Sequence, residues 1–171
     1  SIDAIYSSHV FEHLEEFQNH LTESSKILKI GGKYIIALPH FERWLYDLNL
    51  NTFTQEHPVY PFKDDLEILF ANYGFEVNEI KEYQDHSLFC SFEKVSNKPD
   101  VKEIIFKNKL NLINEFTFSI EKLKNKLNSV IDKSSNIIIF GANSSGQILI
   151  NFIEKMGGTI SAIVDNSKLK Q

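Results

Sequence analysis

The sequence predicts an α/β fold in two parts. Short apolar strands alternate with helical segments along the whole chain. Gly31-Gly32 and Gly74 punctuate the first part at the ends of predicted helices. Ser96-Asn97-Lys98-Pro99 then makes a polar break, and a β-α-β unit closes the chain. These features set three segments: residues 1–95, a linker with a long helix over 96–133, and residues 134–171.

Residues 1–7 read as a buried strand, because Ile2, Ala4, Ile5 and Tyr6 are apolar. His9-Val10-Phe11-Glu12-His13-Leu14 follows as a loop turning into a short helix. Helical spacing over 17–28 puts Leu21, Ser24, Ser25 and Leu28 on one side. Gly31-Gly32 reads as a stop and turn, since glycine takes the left-handed conformation that ends helices. Tyr34-Ile35-Ile36-Ala37-Leu38 is the centre of the next strand, and Pro39 ends it. Residues 40–62 are aromatic and irregular, with Pro58 and Pro61, and read as an insertion or lid rather than core. A helix over 64–73 carries Leu66, Leu69 and Phe70 on one face. Alternation over 75–83 and 87–94 predicts an antiparallel hairpin at a sheet edge. The long helix runs from 101 to about 131, with Ile105, Leu112, Phe116, Ile120, Leu123 and Leu127 as its apolar positions. A strand at 137–140, a glycine-bounded turn at 141–146, a helix at 147–156 and a strand at 159–164 complete the prediction.

Composition narrows the function. The 171 residues are 42% apolar and 24% charged, which excludes a disordered tail, a collagen-like repeat and a disulfide miniprotein. A net charge of −5 gives no electrostatic grip on a phosphate backbone, so no nucleic-acid partner is expected. Lys122, Lys124 and Lys126 read as a solvated helix face. Cys90, the sole cysteine, lies in an apolar run and reads as a buried small hydrophobe. It can form neither an internal disulfide nor a cysteine-rich zinc site, so a reducing, cytoplasmic location is expected. No apolar run approaches the ~20 residues of a membrane span. Met156 is the sole methionine and the sequence opens on Ser1, so the chain is expected to be a piece of a longer polypeptide. Oligomeric state is left open.

The first motif runs from Asp3 through Ser7-Ser8-His9-Val10-Phe11-Glu12-His13-Leu14 to Ile30-Gly31-Gly32 and Pro39. It resembles the second half of a class I S-adenosylmethionine-dependent methyltransferase, with Ile30 where a proline is usual. The resemblance implies the rear half of a doubly wound sheet with a final antiparallel strand. It also implies S-adenosylmethionine lying across the carboxyl ends of the strands. Ser7, Ser8 and His9 would then be the cofactor-side residues of this chain, with a plain structural histidine as the alternative for His9. His9-x-x-Glu12-His13 also matches a zinc-protease pattern. That chemistry needs both histidines on one helical face, and His9 sits at a strand-to-helix crossing with no third ligand on a second helix. No metal is assigned.

Glu56-His57 in an aromatic loop is a candidate acid–base pair, because a carboxylate can fix an imidazole's tautomer. The stretch Phe53-Thr54-Gln55-Glu56-His57-Pro58-Val59-Tyr60 is similar to a segment of the deoxysugar C-methyltransferases, which act on nucleotide-linked 4-keto sugars. Gly74-Phe75-Glu76-Val77 and His86-Ser87 fit the same family. By that resemblance His57 is the base that takes a proton from the carbon next to a ketone. Glu56 is its partner or a sugar-hydroxyl ligand, and His13 faces the same cavity as a second acid–base or enolate-stabilising group. Thr54 stands where the family has a tyrosine. Phe53 and Tyr60 would wall the substrate, with His86 beside them. Sugar O-methylation, and a non-catalytic module that binds a nucleotide sugar, remain open alternatives.

Gly141-Ala142-Asn143-Ser144-Ser145-Gly146 opens a helix, and Asp165 follows the next strand, about the separation of a dinucleotide fingerprint. Asn143 replaces the middle glycine. The same methyltransferases carry a similar C-terminal half, matched here also by Val164-Asp165-Asn166 and Lys168-Leu169-Lys170-Gln171. The resemblance implies that Gly141, Asn143 and Asp165 help bind the nucleotide-sugar substrate. A helix-packing turn without a ligand is the alternative.

Overall fold

The structure, a computed structural model, describes residues 1–100, 106–131 and 136–167. The predicted start of the long helix at 101–105 and the Lys168 to Gln171 match lie outside the described residues. The chain divides into two compact units, one of Ser1–Asp47 with Thr52–Leu110, the other of Leu48–Asn51 with Asn111–Gln171.

In the first unit, β1 (Ile2–Ser8), α1 (Phe17–Ile27) and β2 (Leu28–Pro39) form a strand-helix-strand unit in which β1 and β2 are parallel. After the short helix α2 (Phe41–Tyr46) and α3 (Lys63–Ala71) come β3 (Phe75–Tyr83) and β4 (Ser87–Lys94). The sheet order is β1-β2-β4-β3, so the last strand inserts antiparallel between β2 and β3. This agrees with the α/β class and with the hairpin at an edge. Three expectations are corrected. Residues 1–7 are not a buried strand: β1 ends the sheet order, and its Ile2 and Tyr6 are exposed. Gly31-Gly32 does not separate helix from strand; α1 ends at Ile27 in an extended Leu28, and the glycines lie inside β2. They fall where the β1–β2 register shifts, with Gly31 at a φ of 78° that only glycine adopts without strain. Residues 40–62 are also less peripheral than expected: α2 buries Phe41 and Leu45, and Thr52 is buried too.

The core packs α1 and α3 against the inner face of the sheet through Leu21, Tyr34, Ile36, Leu66, Phe70 and Phe92. Cys90 is buried, and burial pushes its thiol up to about 12. That makes it an inert apolar filler, as its surroundings predict. Beside the core, His20 Nε2 lies 2.5 Å from the Tyr34 hydroxyl. Burial holds the His20 imidazole below its ordinary value and raises the Tyr34 phenol to about 12, so the O–H donates to a neutral ring. The unfolded chain therefore takes up this proton first. Its contribution to stability is complete above about pH 6.5 and is lost as pH falls from there through the lowered folded-state value. A His20→Gln variant is expected to lose less melting temperature than wild type between about pH 7 and pH 5, read by thermal melts. Equal losses would contradict this.

α4 (Phe106–Val130) belongs to the second unit from Asn111 onward, and its Leu112 and Phe116 are buried. The parallel strands β5 (Asn136–Phe140) and β6 (Thr159–Val164) flank α5 (Ser144–Lys155) in a β-α-β arrangement. α5 starts three residues before its predicted start, because the Asn143 side chain accepts the Gly146 amide at 2.8 Å and caps the helix. Gly146 is required there: a Cβ would stand 2.0 Å from the Gly141 carbonyl oxygen.

Candidate active site

β1 delivers the chain to the site. Ser7 and Ser8 end it, half-buried and exposed. His9 follows with a φ of 50°, its amide donating to the Ala37 carbonyl at 2.8 Å. A non-glycine residue held in this region is uncommon and costs about 1 kcal/mol or more. The reversal lets the chain enter a 3-10 turn at Phe11–His13. Three consecutive side chains then take different directions: Phe11 and Glu12 are buried, and His13 is exposed.

The 52–62 loop meets this turn through backbone as well as side chains. His13 Nδ1 donates to the Glu56 carbonyl at 2.8 Å, which fixes that tautomer and leaves Nε2 as an acceptor. The His57 ring packs edge-on against His13, with centroids 4.6 Å apart. Phe41 and Tyr60 stand against His57 at 5.7 and 6.1 Å. His57 Nδ1 is buried with no partner among the described residues. Burial and then the neighbouring His13 lower the His57 pKa, against the opposing pull of Glu12 and Glu56. The His57 imidazole is thus held in its neutral form.

The structure brings His13 and His57 together, while Glu56 contributes a carbonyl to His13 and leaves its own side chain exposed. The buried carboxylate of the site is Glu12 instead. It is 1% exposed, its Oε1 lies 3.3 Å from His9 Nδ1, and its Oε2 has no partner among the described residues. Sequence analysis gave Glu12 a role only within the zinc-protease spacing. Thr54 and Tyr60 form a clamp: the Tyr60 hydroxyl accepts the Thr54 amide at 2.9 Å and donates to its carbonyl at 2.8 Å. Thr54 is held through its backbone. Phe53 is exposed beside Tyr60, with centroids 5.2 Å apart. His86 lies between Trp44 and His9 at 5.6 and 6.0 Å, its Nδ1 2.5 Å from the Ser87 hydroxyl.

Residues 1–36 match the family model of a methyltransferase domain. That span covers β1, the His9–His13 reversal, α1 and the first three-quarters of β2. No curated protein matches the chain significantly. Among solved structures, a complex between the Haloferax volcanii Trm112 methyltransferase activator and a protein described as a methyltransferase is 14% identical. It covers 58% of this chain and 57% of its own, with a TM-score of 0.48. A protein from Listeria monocytogenes, described as an S-adenosylmethionine-dependent methyltransferase, is 15% identical. It covers 55% of this chain and 62% of its own, with a TM-score of 0.44. The chain spans little more than half the length of these structures. Among the described residues no helix is long and apolar enough to cross a membrane.

In the second unit the predicted ligand-binding atoms hold the turn itself. Gly141 N donates to the Val164 carbonyl at 2.7 Å. The Asp165 carboxylate accepts the Ala142 and Ser167 amides, each at 2.7 Å, and Asn143 caps α5. These contacts explain the residue types without a nucleotide.

Proposed function

We propose that this chain supplies the acid–base side of an S-adenosylmethionine-dependent methyltransferase. Its substrate is a nucleotide-linked sugar, methylated on a carbon next to a keto group. The observation that carries the reading is the pairing of His57 with His13 just beyond the carboxyl end of β1. The methyltransferase-domain match over residues 1–36 supports the reaction class.

The donor set fits one side of the cofactor. Ser7 and Ser8 offer hydroxyls and His9 an imidazole at the end of β1, suited to the polar parts of the donor. When bound, the donor supplies an electrophilic methyl group. His57 takes the proton from the carbon next to the ketone, which its neutral ring permits. His13 Nε2 is an acceptor in the tautomer set by Glu56. It serves as a second base or, once protonated, as the hydrogen-bond donor to the enolate oxygen. Phe53, Tyr60 and Phe41 give the site apolar walls. Glu56, Thr54 and His86 frame this site; the nucleotide part is assigned to Gly141, Asn143 and Asp165 of the second unit on the family resemblance alone, since their hydrogen bonds hold the turn.

Calorimetric titration of S-adenosylmethionine into the polypeptide that contains this chain is expected to give saturable one-to-one binding. Absence of binding heat across several temperatures would contradict the reading.

A further inference from the structure

One carboxylate and two imidazoles converge in the first unit. Glu12 and His13 come from the 3-10 turn, and His57 comes from the 52–62 loop. One ligating atom on each lies within 4.8 Å of the others. Two of these side chains carry buried polar atoms without a partner, Glu12 Oε2 and His57 Nδ1. Both are Lewis bases when the carboxylate is ionised and the ring neutral. A carboxylate oxygen sequestered from water is costly unless a cation or donor reaches it. Among the described residues the ion-pair partner of Glu12 is His9, at its other oxygen.

We propose that Glu12, His13 and His57 bind a divalent transition-metal cation of the zinc class. Two imidazoles and one carboxylate form a borderline donor set that suits zinc or cobalt, whereas magnesium and calcium prefer oxygen alone. His13 is oriented for the role: its Nδ1–H is held by the Glu56 carbonyl, the outer-shell arrangement that turns a histidine's other nitrogen to a metal. His9 at Glu12 Oε1 positions the carboxylate in the same way. Ligands around zinc at about 2.1 Å stand roughly 3.4 Å apart in a tetrahedron, so the widest pair must close by about an ångström or somewhat more. His13 is exposed and His57 lies in a loop outside any helix or strand, so the closure falls on a surface side chain and a loop rather than on the sheet. Three protein ligands leave a position open.

This set differs from the spacing in the sequence, which pointed to His9 and His13 and led to no metal being assigned. His57 completes it only because the loop folds back. The site shares His13 and His57 with the methyl-transfer reading, and the two roles of His57 exclude one another, so methyl transfer belongs to the metal-free form. With Nδ1 on a metal, the remaining nitrogen of His57 carries the proton, so the metal-loaded ring is not a base.

The test uses the polypeptide containing this chain, stripped with a chelator and titrated with cobalt(II) under visible spectroscopy. The expected result is one equivalent giving ligand-field bands, displaced by zinc. Affinity should fall by about 100-fold or more in His57→Ala and in Glu12→Gln, since even outer-shell changes cost 10–100-fold. A His20→Gln variant should bind as wild type. Circular dichroism confirms that each variant is folded, and His57→Ala, at a half-buried loop position, keeps the test available if Glu12→Gln is not. Absence of a stoichiometric site, or equal affinity in His57→Ala and wild type, would overturn the proposal. Methyl transfer is not read in this experiment, so its outcome leaves the donor-binding test separate.

Discussion

Replacing Phe70 by alanine is expected to cost about 3–5 kcal/mol of folding stability. Phe70 is fully buried on α3 and stacks on Phe92 of β4, with centroids 3.7 Å apart and planes 5° from parallel. Tyr34 and Phe75 meet it edge-on at 5.3 and 5.8 Å, and Phe11 at 5.8 Å in a tilted contact. One ring thus joins the helix to β2, β3, β4 and the turn that carries Glu12. Alanine would leave a cavity among five elements that cannot all collapse into it. Phe70→Leu keeps much of the volume and is expected to cost roughly half as much or less. Urea unfolding of the chain checks both values. A loss below about 1 kcal/mol for Phe70→Ala would mean that this stack is not the centre of the core.

Replacing His57 by alanine is expected to lower methyl transfer by about 100-fold or more, the usual contribution of a positioned base. The expectation rests on position. His57 packs against His13, and its Nδ1 is buried with no partner among the described residues. The effect should fall on kcat more than on KM, because a base acts in the transition state. His57→Gln keeps hydrogen bonding but removes basicity and should be nearly as slow. Glu56→Gln is expected to matter far less, since the contact Glu56 makes with His13 is through its carbonyl. Steady-state kinetics of the three variants decide the point. A rate in His57→Ala within about threefold of wild type would remove it as the base.

The fold was legible where one periodicity ran undisturbed. Alternation from Phe75 to Tyr83 and from Ser87 to Lys94 gave both hairpin strands with their observed ends. It failed where glycine served packing rather than termination. Gly31 and Gly32 lie inside a strand, and Gly146 lies inside the first turn of α5. Helix α2 has only six residues, too few for a periodic signal, and follows a proline. In the site, the histidines were legible as candidates because imidazoles beside carboxylates and aromatic rings are chemically conspicuous. What joins them was not: the link from the turn to the 52–62 loop is the Glu56 carbonyl, and a backbone atom leaves no trace in sequence. As a buried carboxylate Glu12 leaves no mark in the sequence, because a glutamate is ordinarily solvated. It follows the reversal at His9, where a positive φ accompanies the amide bond to Ala37 of the neighbouring strand, and no local pattern announces that reversal.

The central claim is methyl transfer to carbon. The direct measurement incubates the polypeptide containing this chain with S-adenosylmethionine labelled with carbon-13 in its methyl group and a 4-keto nucleotide sugar, followed by NMR of the product. The expected product carries a labelled methyl coupled to the ring carbon next to the ketone. A label found on a sugar oxygen, or no transfer while the donor binds, would contradict it.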